Sequence, residues 1–152
     1  PYMVMELLEG QTLQSLIAQD AVFSVRDSLQ IAIQLFSALV HAHEQGAVHR
    51  DLSPSNIMLA KDNEGVLQIK LFDFGLAKIL DENDSSLTKS RGLKGTSAYM
   101  SPEQCQSKAA DKRSDIYSAA CVIYEVLTGR QPFAGSSDYE TMHKQIFDKV
   151  QF

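Results

Sequence analysis

At residues 49–56 the chain reads His49-Arg50-Asp51-Leu52-Ser53-Pro54-Ser55-Asn56. We predict that these residues form a loop at the exit of a helix. The loop carries a carboxylate at Asp51 and an amide at Asn56, two oxygen donors close in sequence. It follows a long helical pattern that begins at the capping-box-like Ser24 and stops at Gly46. The apolar residues of that pattern recur at spacings of three and four: Val25, Leu29, Ala32, Phe36 and Leu39.

A second loop with a carboxylate follows two predicted strands. Residues 56–60 and 67–72 look extended, the second with apolar residues at alternate positions, and Asn63-Glu64-Gly65 supplies a turn between them. This pattern predicts a small hairpin. Asp73-Phe74-Gly75 stands directly after its second strand, where Gly75 permits a sharp change of direction.

The remaining segments complete an outline of mixed helix and strand. Residues 2–8 have the composition of a short buried strand, and residues 12–19 that of a helix. Residues 76–99 show little sustained periodicity, which predicts a long loop of the kind that is usually functional or mobile. Residues 114–128 are apolar on nearly every side, which predicts a helix buried in the core, and a last helix with Tyr139, Met142, Ile146 and Val150 on its apolar face begins near Ser136.

Composition limits the class of protein. The 152 residues are 44% hydrophobic and 8% aromatic, which is ordinary for a globular domain. With 14 Lys and Arg against 19 Asp and Glu, the net charge is -5, which argues against general binding to nucleic acid or anionic membranes. Cys105 and Cys121 have neither metal-type nor disulfide-framework spacing, so we predict free thiols and no zinc. No apolar run reaches the roughly 18 residues of a membrane span, and we expect a cytoplasmic protein.

Three short motifs in a fixed order give the chain a specific family resemblance. They are His49-Arg50-Asp51 with Asn56, Asp73-Phe74-Gly75, and Gly95-Thr96 with Ser101-Pro102-Glu103. With Asp115 at the start of the buried helix, and Gly129-Arg130-Gln131-Pro132-Phe133 after it, they resemble the catalytic lobe of protein kinases. The wording of residues 95–104 looks most like bacterial Ser/Thr kinases.

The resemblance covers nearly the whole chain. It implies an α+β, kinase-like fold with a mainly α-helical C-terminal lobe, a short β-hairpin and no N-terminal lobe. Residues 1–152 are accordingly expected to be one partial kinase domain, comprising the hinge and most of the C-terminal lobe and truncated at both ends.

The resemblance also implies a reaction, the ATP-dependent transfer of a γ-phosphoryl group to a protein Ser or Thr hydroxyl. Such transfer depends on holding the reacting groups in line and neutralising phosphate charge more than on covalent chemistry. Asp51 is expected to accept the substrate proton or orient the hydroxyl, and Asn56 and Asp73 to bind Mg²⁺ through oxygen. An ordinary loop or turn role is the alternative for each of the three.

Adenine is expected against the first segment. By resemblance Met5 is the gatekeeper, the backbone of Glu6 and Leu8 forms the hinge hydrogen bonds, and Met58 forms the apolar floor. The methionines also fit a plain core role.

Two further loop residues acquire roles from the resemblance. Thr96 matches the threonine that hydrogen-bonds the catalytic aspartate of Ser/Thr kinases, and Arg50 matches the arginine on which a phosphorylated activation loop docks. The candidates for that phosphorylation are, first, Thr88 and Ser90 and, second, Ser85 and Ser86. A solvated loop hydroxyl is an equal alternative for each candidate.

The histidines receive no chemical role. His49 is expected to pack with Phe74 in a hydrophobic spine. His41, His43 and His143 have no ligand spacing and fit a helix surface better than a metal site.

Departures from the family pattern bear on activity. Ser53 stands where these kinases usually have a lysine that contacts the γ-phosphate. Losing one hydrogen bond to a charged group, about 1.5–3 kcal/mol, predicts a reaction about 10- to 150-fold slower. Residues 1–152 contain no Gly-rich loop, phosphate-contacting strand lysine or glutamate partner for it, so alone they are expected to bind ATP weakly and be inactive. Glu103 is expected to lack the arginine that pairs with it in the family, and apolar surface is expected to be exposed.

Two other functional classes fit part of the sequence. A pseudokinase that scaffolds partners is favoured by Ser53 and the missing N-terminal lobe, but it has no chemical need for Asp51, Asn56 and Asp73 together. A small-molecule phosphotransferase with a related lobe is disfavoured by residues 95–103, which in the family cradle a peptide.

Overall fold

Helices and one small antiparallel sheet make up the computed structural model, which describes residues 6–19, 23–61, 64–74 and 97–151. The helices are α1 (Leu13–Ala18), α2 (Val25–Glu44), α3 (Pro102–Cys105), α4 (Lys112–Thr128) and α5 (Asp138–Phe147). The strands are β1 (Gln11–Thr12), β2 (Ile57–Lys61) and β3 (Leu67–Leu71). Short 3-10 turns at Pro54–Asn56 and Ser97–Tyr99 precede β2 and α3. The predicted α+β class is confirmed.

The predicted hairpin is present and gains a third strand. β2 pairs antiparallel with β3, with Met58 opposite Lys70, and β1 pairs with β2 through Thr12 opposite Met58. Two residues are too few for an alternating pattern, so β1 could not be predicted. The strand predicted over residues 2–8 is wrong in its described part, because residues 6–8 form no strand and Leu7 is almost fully exposed. The apolar side chains there border a cavity.

A side chain from α2 covers the outer edge of β3. Gln34 Nε2 donates to the carbonyl of Leu67 at 2.8 Å, and Gln34 Oε1 accepts from the backbone N–H of Ile69 at 3.0 Å. A further strand would have paired with these two backbone groups, so the amide of Gln34 satisfies them in its place.

Helix α2 has the predicted ends but buries a different face. Ser24 caps it, with Oγ accepting from the N–H of Asp27 at 3.1 Å, and Gly46 follows it with a φ of 76°. Val25 and Leu29, two of the apolar residues whose spacing predicted the helix, are 69% and 55% exposed. The buried residues are Ser28, Ile31, Leu35, Leu39 and Ala42. Apolar residues lie on two faces of this helix, and periodicity alone does not tell which face its neighbours cover.

Helix α4 packs against α2 and is buried on one face. Asp111 caps its start by accepting from the N–H of Arg113 at 2.8 Å, and Gly129 ends it with a φ of 71°. Ile116 and Leu127 are about half exposed. The predicted core helix is confirmed on the face that α2 and the turn before α3 cover, and the expected exposure of apolar surface is found at Ile116 and Leu127.

Helix α5 begins near Ser136 as predicted, with Ser137 accepting from the N–H of Glu140 at 3.2 Å. Tyr139, expected on its core face, is exposed, whereas Thr141 and Gln145 are buried. Hydrogen bonds as well as apolar contacts therefore attach α5 to the rest of the fold.

The apolar core lies between α2, α4 and the sheet. Its most buried members include Leu13, Ile31, Leu35, Leu39, Leu52, Ile57, Ala119 and Val122. In the part of the chain that the structure describes, no helix has both the length and the apolar character needed to cross a bilayer.

Candidate active site

The loop after α2 is held by a buried carboxylate of α4. The backbone N–H groups of His49 and Arg50 donate to the two oxygens of Asp115 at 2.9 and 2.8 Å. A third contact comes from Nε2 of His43, on α2, at 2.7 Å. These partners compensate the carboxylate for its burial. Asp115 thereby fixes the backbone that leads into Asp51.

Asp51 and Asn56 are joined within this loop. Asn56 Nδ2 donates to the carbonyl oxygen of Asp51 at 2.8 Å. Because the amide nitrogen is used in this bond, the amide oxygen is the end that can bind a cation. Ser55 Oγ lies 3.5 Å from that oxygen, at the limit of a hydrogen bond, so it competes only weakly.

Phe72 brings Asp73 to the same place. The N–H of Phe72 donates to the carbonyl of Asn56 at 3.1 Å, and the carbonyl of Phe72 accepts from His49 Nε2 at 2.9 Å. Asp73 is the next residue, and its side chain is exposed. The structure therefore brings Asp51, Asn56 and Asp73 to neighbouring segments, although the β2–β3 hairpin separates them in sequence.

Two residues of this region have left-handed backbone conformations. Arg50 has a φ of 65° and Asp73 a φ of 61°. For a residue with a side chain this conformation costs about 1–2 kcal/mol and persists only where the surroundings enforce it. The hydrogen bonds to Asp115 and Phe72 enforce it here.

The pKa of the Asp51 carboxyl is raised above its ordinary value. Burial by the surrounding protein is the main cause, although part of the side chain is open to solvent, and the charge of Asp73 adds to it. His49 and the hydrogen bond from Asn56 act in the opposite direction. Because the charge of Asp73 raises the pKa of Asp51, the two carboxylates repel each other. A cation bound near both would relieve that repulsion.

The oxygen donors at this site fit magnesium. Asn56 Oδ1 and the carboxylate of Asp73 are hard donors, the type that Mg²⁺ prefers. Over residues 6–19, 23–61, 64–74 and 97–151, no three His, Cys, Asp or Glu side chains group into a metal cage. Two protein oxygens suit an ion that takes its other ligands from water and substrate phosphates.

A cavity of about 510 Å³ lies beside β3 and the first described segment. Its lining residues are Glu6, Leu7, Leu8, Met58, Lys70, Leu71 and Phe72. The family resemblance predicts that three of these residues, Glu6, Leu8 and Met58, bind adenine. Phe72 directly precedes Asp73, so the cavity borders the carboxylate site. Lys70 Nζ forms an ion pair with Glu6, which ties this segment to β3. A larger cavity, about 650 Å³, lies between α1, α2 and the hairpin and contains none of the predicted site residues.

The segment before α3 is anchored by buried polar contacts. Tyr99 Oη donates to Glu125 of α4 at 2.6 Å, and Ser97 Oγ donates to Asp138 at 2.7 Å. Gln145 of α5 donates to the carbonyl of Ala98 at 2.6 Å. Burial raises the pKa of the Glu125 carboxyl, and burial together with the bond to Glu125 raises the pKa of Tyr99.

Some predicted residues have no described position. Met5, Thr88, Ser90 and Thr96 lie outside the described residues. Arg50 is half-buried and is held through its backbone. The rings of His49 and Phe74 lie 4.8 Å apart, in keeping with a packing role.

Sequence reasoning missed several partners that hold the site. His43, predicted as helix surface, is only 12% exposed because Asp115 reaches it across the helix interface. Ser53, considered only as a lost lysine, is buried with its Oγ 2.7 Å from that of Ser55. Glu103, expected to lack the arginine that pairs with it in the family, accepts instead from the hydroxyl of Ser114. The one available signal was the position of His43 in the last turn of a helix that leads into the loop.

Comparisons with known proteins give a family. The family model described as protein kinase domain matches residues 1–152. A probable serine/threonine-protein kinase PknB of Bifidobacterium longum is 46% identical over 146 residues, which are 96% of this chain and 21% of that protein. The serine/threonine-protein kinases PknB of Mycolicibacterium smegmatis and Mycobacterium tuberculosis are 38% and 36% identical over 146 residues, again 96% of this chain and 23% of each protein.

The chain thus spans about a fifth of the length of these curated relatives. The family model covers every residue, and the predicted kinase-like fold agrees with the helices, the hairpin and the loop contacts described above. The chain therefore belongs to the protein kinase family, among relatives named as bacterial serine/threonine kinases.

Proposed function

We propose that the protein is a serine/threonine kinase that transfers the γ-phosphoryl group of Mg-ATP to a hydroxyl of a protein substrate. The observation that carries the proposal is the proximity of Asp51, Asn56 and Asp73, held by shared hydrogen bonds beside a cavity of about 510 Å³. That volume falls in the range of sites for ligands of nucleotide-base size or larger.

Each site residue has a role in this proposal. Asp51 orients the substrate hydroxyl and accepts its proton. Asn56 and Asp73 hold Mg²⁺, which supplies charge neutralisation for the nucleotide phosphates. The backbone of Glu6 and Leu8 binds adenine, with Met58 below it and Met5 as gatekeeper.

Regulation and surroundings complete the proposal. Thr96 hydrogen-bonds Asp51, and phosphorylated Thr88 or Ser90 docks on Arg50. The partners are ATP and a protein with Ser or Thr, without nucleic acid. The cytoplasm supplies ATP and keeps Cys105 and Cys121 as thiols, so we propose that location. We further propose that residues 1–152 form one partial kinase domain, comprising the hinge and most of the C-terminal lobe, that is inactive by itself.

The test is a phosphotransfer assay with γ-labelled ATP, Mg²⁺ and a general protein substrate. It uses the full chain, meaning the longer protein of which residues 1–152 are proposed to be part. Label is expected on serine or threonine, and D51N is expected to abolish its transfer. D148N is the matched control, since it makes the same change at an exposed aspartate outside the site. Nucleotide binding without transfer would favour the pseudokinase alternative, and label only on small molecules would favour the phosphotransferase alternative.

A further inference from the structure

One amide side chain joins α3 to the loop that carries Asp51. Gln104 Oε1 accepts from the backbone N–H and from the hydroxyl of Ser101, each at 3.0 Å. Gln104 Nε2 donates to the carbonyl oxygen of Arg50 at 2.6 Å. The two ends of the amide therefore have different tasks, because the oxygen caps α3 while the nitrogen reaches the distant loop.

The carbonyl that Gln104 binds belongs to the peptide linking Arg50 to Asp51. At the other end of that peptide, the N–H of Asp51 donates to His49 Nδ1 at 3.3 Å. The residue before it, Arg50, has the left-handed φ of 65°. With both polar groups of the peptide engaged, its plane cannot rotate freely, and the direction in which Asp51 leaves the backbone is fixed.

Asp115 does not hold the peptide that links Arg50 to Asp51. Its carboxylate binds the N–H groups of His49 and Arg50, which lie on the N-terminal side of the Cα atom of Arg50. Among the described residues, only Gln104 donates a hydrogen bond to the carbonyl of Arg50.

We propose that Gln104 is a positioning residue for Asp51, acting through the amide N–H that it donates to the carbonyl of Arg50. This inference rests on the proposed kinase function, because it gives Asp51 the catalytic role assigned there. It also makes the placement of α3 and the placement of Asp51 interdependent.

The substitution Q104E separates the two ends of the amide. A glutamate has the same shape and keeps oxygen acceptors for Ser101, but it has no donor for Arg50 and sets a negative oxygen against the carbonyl. In the full chain we expect kcat to fall about 5- to 50-fold with the KM for ATP unchanged, since an unpaired carbonyl is costly and the nucleotide cavity is not touched. Q106E is the matched control, with the same change at an exposed glutamine on the same turn, and should keep the wild-type kcat.

A second variant distinguishes the contact that positions Asp51, made by the amide nitrogen, from the contact that caps α3, made by the amide oxygen. Q104M fills similar space without either polar contact, so it should lower kcat as Q104E does and lower Tm more than Q104E. Equal kcat for wild type, Q104E and Q104M would overturn the proposal.

Hydrogen exchange of the full chain gives a readout that does not need turnover. Backbone amides of residues 49–52 are expected to exchange faster in Q104E than in wild type, and not in Q106E. If the wild-type chain transfers no phosphate, the kinase function fails, and unchanged exchange in Q104E would overturn the positioning role separately.

Discussion

The surroundings of Asp51 oppose a negative charge on its carboxylate. Burial and Asp73 raise the pKa of its carboxyl, so the folded state binds a proton at this site more readily than the unfolded state does. Because the folded state binds this proton more tightly, the free energy of unfolding falls as pH rises through the raised pKa of Asp51. The charged carboxylate that the proposed reaction requires at Asp51 therefore destabilises the fold.

We therefore expect D51N to abolish phosphotransfer while leaving the Tm at pH 7 equal to or above that of wild type. Asparagine keeps the shape of the side chain and removes the unfavourable charge. The difference in Tm should shrink as pH falls through the raised pKa, because protonated Asp51 is also neutral. Thermal denaturation at several pH values checks this, and a Tm clearly below wild type at pH 7 would contradict it.

Ser53 gives a second prediction, a gain of activity. Ser53 is buried with its hydroxyl against Ser55, so it offers no cation to a phosphate. In the full chain S53K should raise kcat by about 10- to 150-fold, the effect of one hydrogen bond to a charged group. S53A is the control and should change kcat little. An S53K rate no higher than that of S53A would show that this kinase does not use a lysine at position 53.

At the scale of the elements, the buried pair of Tyr99 and Glu125 is one of the contacts that join the turn Ser97–Tyr99 to α4. In Y99F the carboxylate of Glu125 keeps its burial but loses its hydroxyl partner. We expect the free energy of unfolding to fall by about 1–3 kcal/mol, the usual cost when a buried polar group loses a hydrogen-bond partner. Chemical denaturation measures it.

The control for this prediction is Y139F, which removes the same hydroxyl from an exposed tyrosine. The double variant Y99F/E125M should recover part of the loss, because both polar partners are then replaced by apolar groups. If Y99F is no less stable than Y139F, the pair contributes nothing to stability.

Helix ends could be predicted from sequence better than helix faces could. Ser24 and Gly46 bound α2 through contacts within one turn, so the local sequence contains the signal. The face that α2 buries depends on α4 and β3, which are distant in sequence, so the apolar spacing does not reveal that Val25 and Leu29 stay exposed. The same limit explains α4, whose apolar residues do not tell how many neighbours cover them.

At the scale of the whole molecule, the candidate site is assembled from segments that come together only through folding. Asp51, Asn56 and Asp73 could be found in the sequence because each stands in a short motif of fixed wording. Asp115 was visible as part of the same pattern, but its contact with His43 was not, because it joins two helices. Gln104 escaped notice for the same reason, since only the fold brings its amide to Arg50.

Residues 1–152 by themselves are expected to bind Mg-ATP more weakly than micromolar. The described cavity is bordered by residues 6–8, Met58 and residues 70–72, and the sequence contains no Gly-rich loop to cover the phosphates. Isothermal titration of the 152 residues with Mg-ATP, compared with the full chain, measures the difference. Micromolar affinity of the 152 residues would contradict the expectation.

The amide of Gln34 has a consequence for how molecules of this protein meet one another. An edge strand with open N–H and C=O groups is a template on which a strand from another copy can add, and aggregation can start there. In β3 the carbonyl of Leu67 and the N–H of Ile69 already form hydrogen bonds with Gln34. A second copy would have to break both hydrogen bonds before it could add, so a glutamine on a helix protects the β3 edge from self-association.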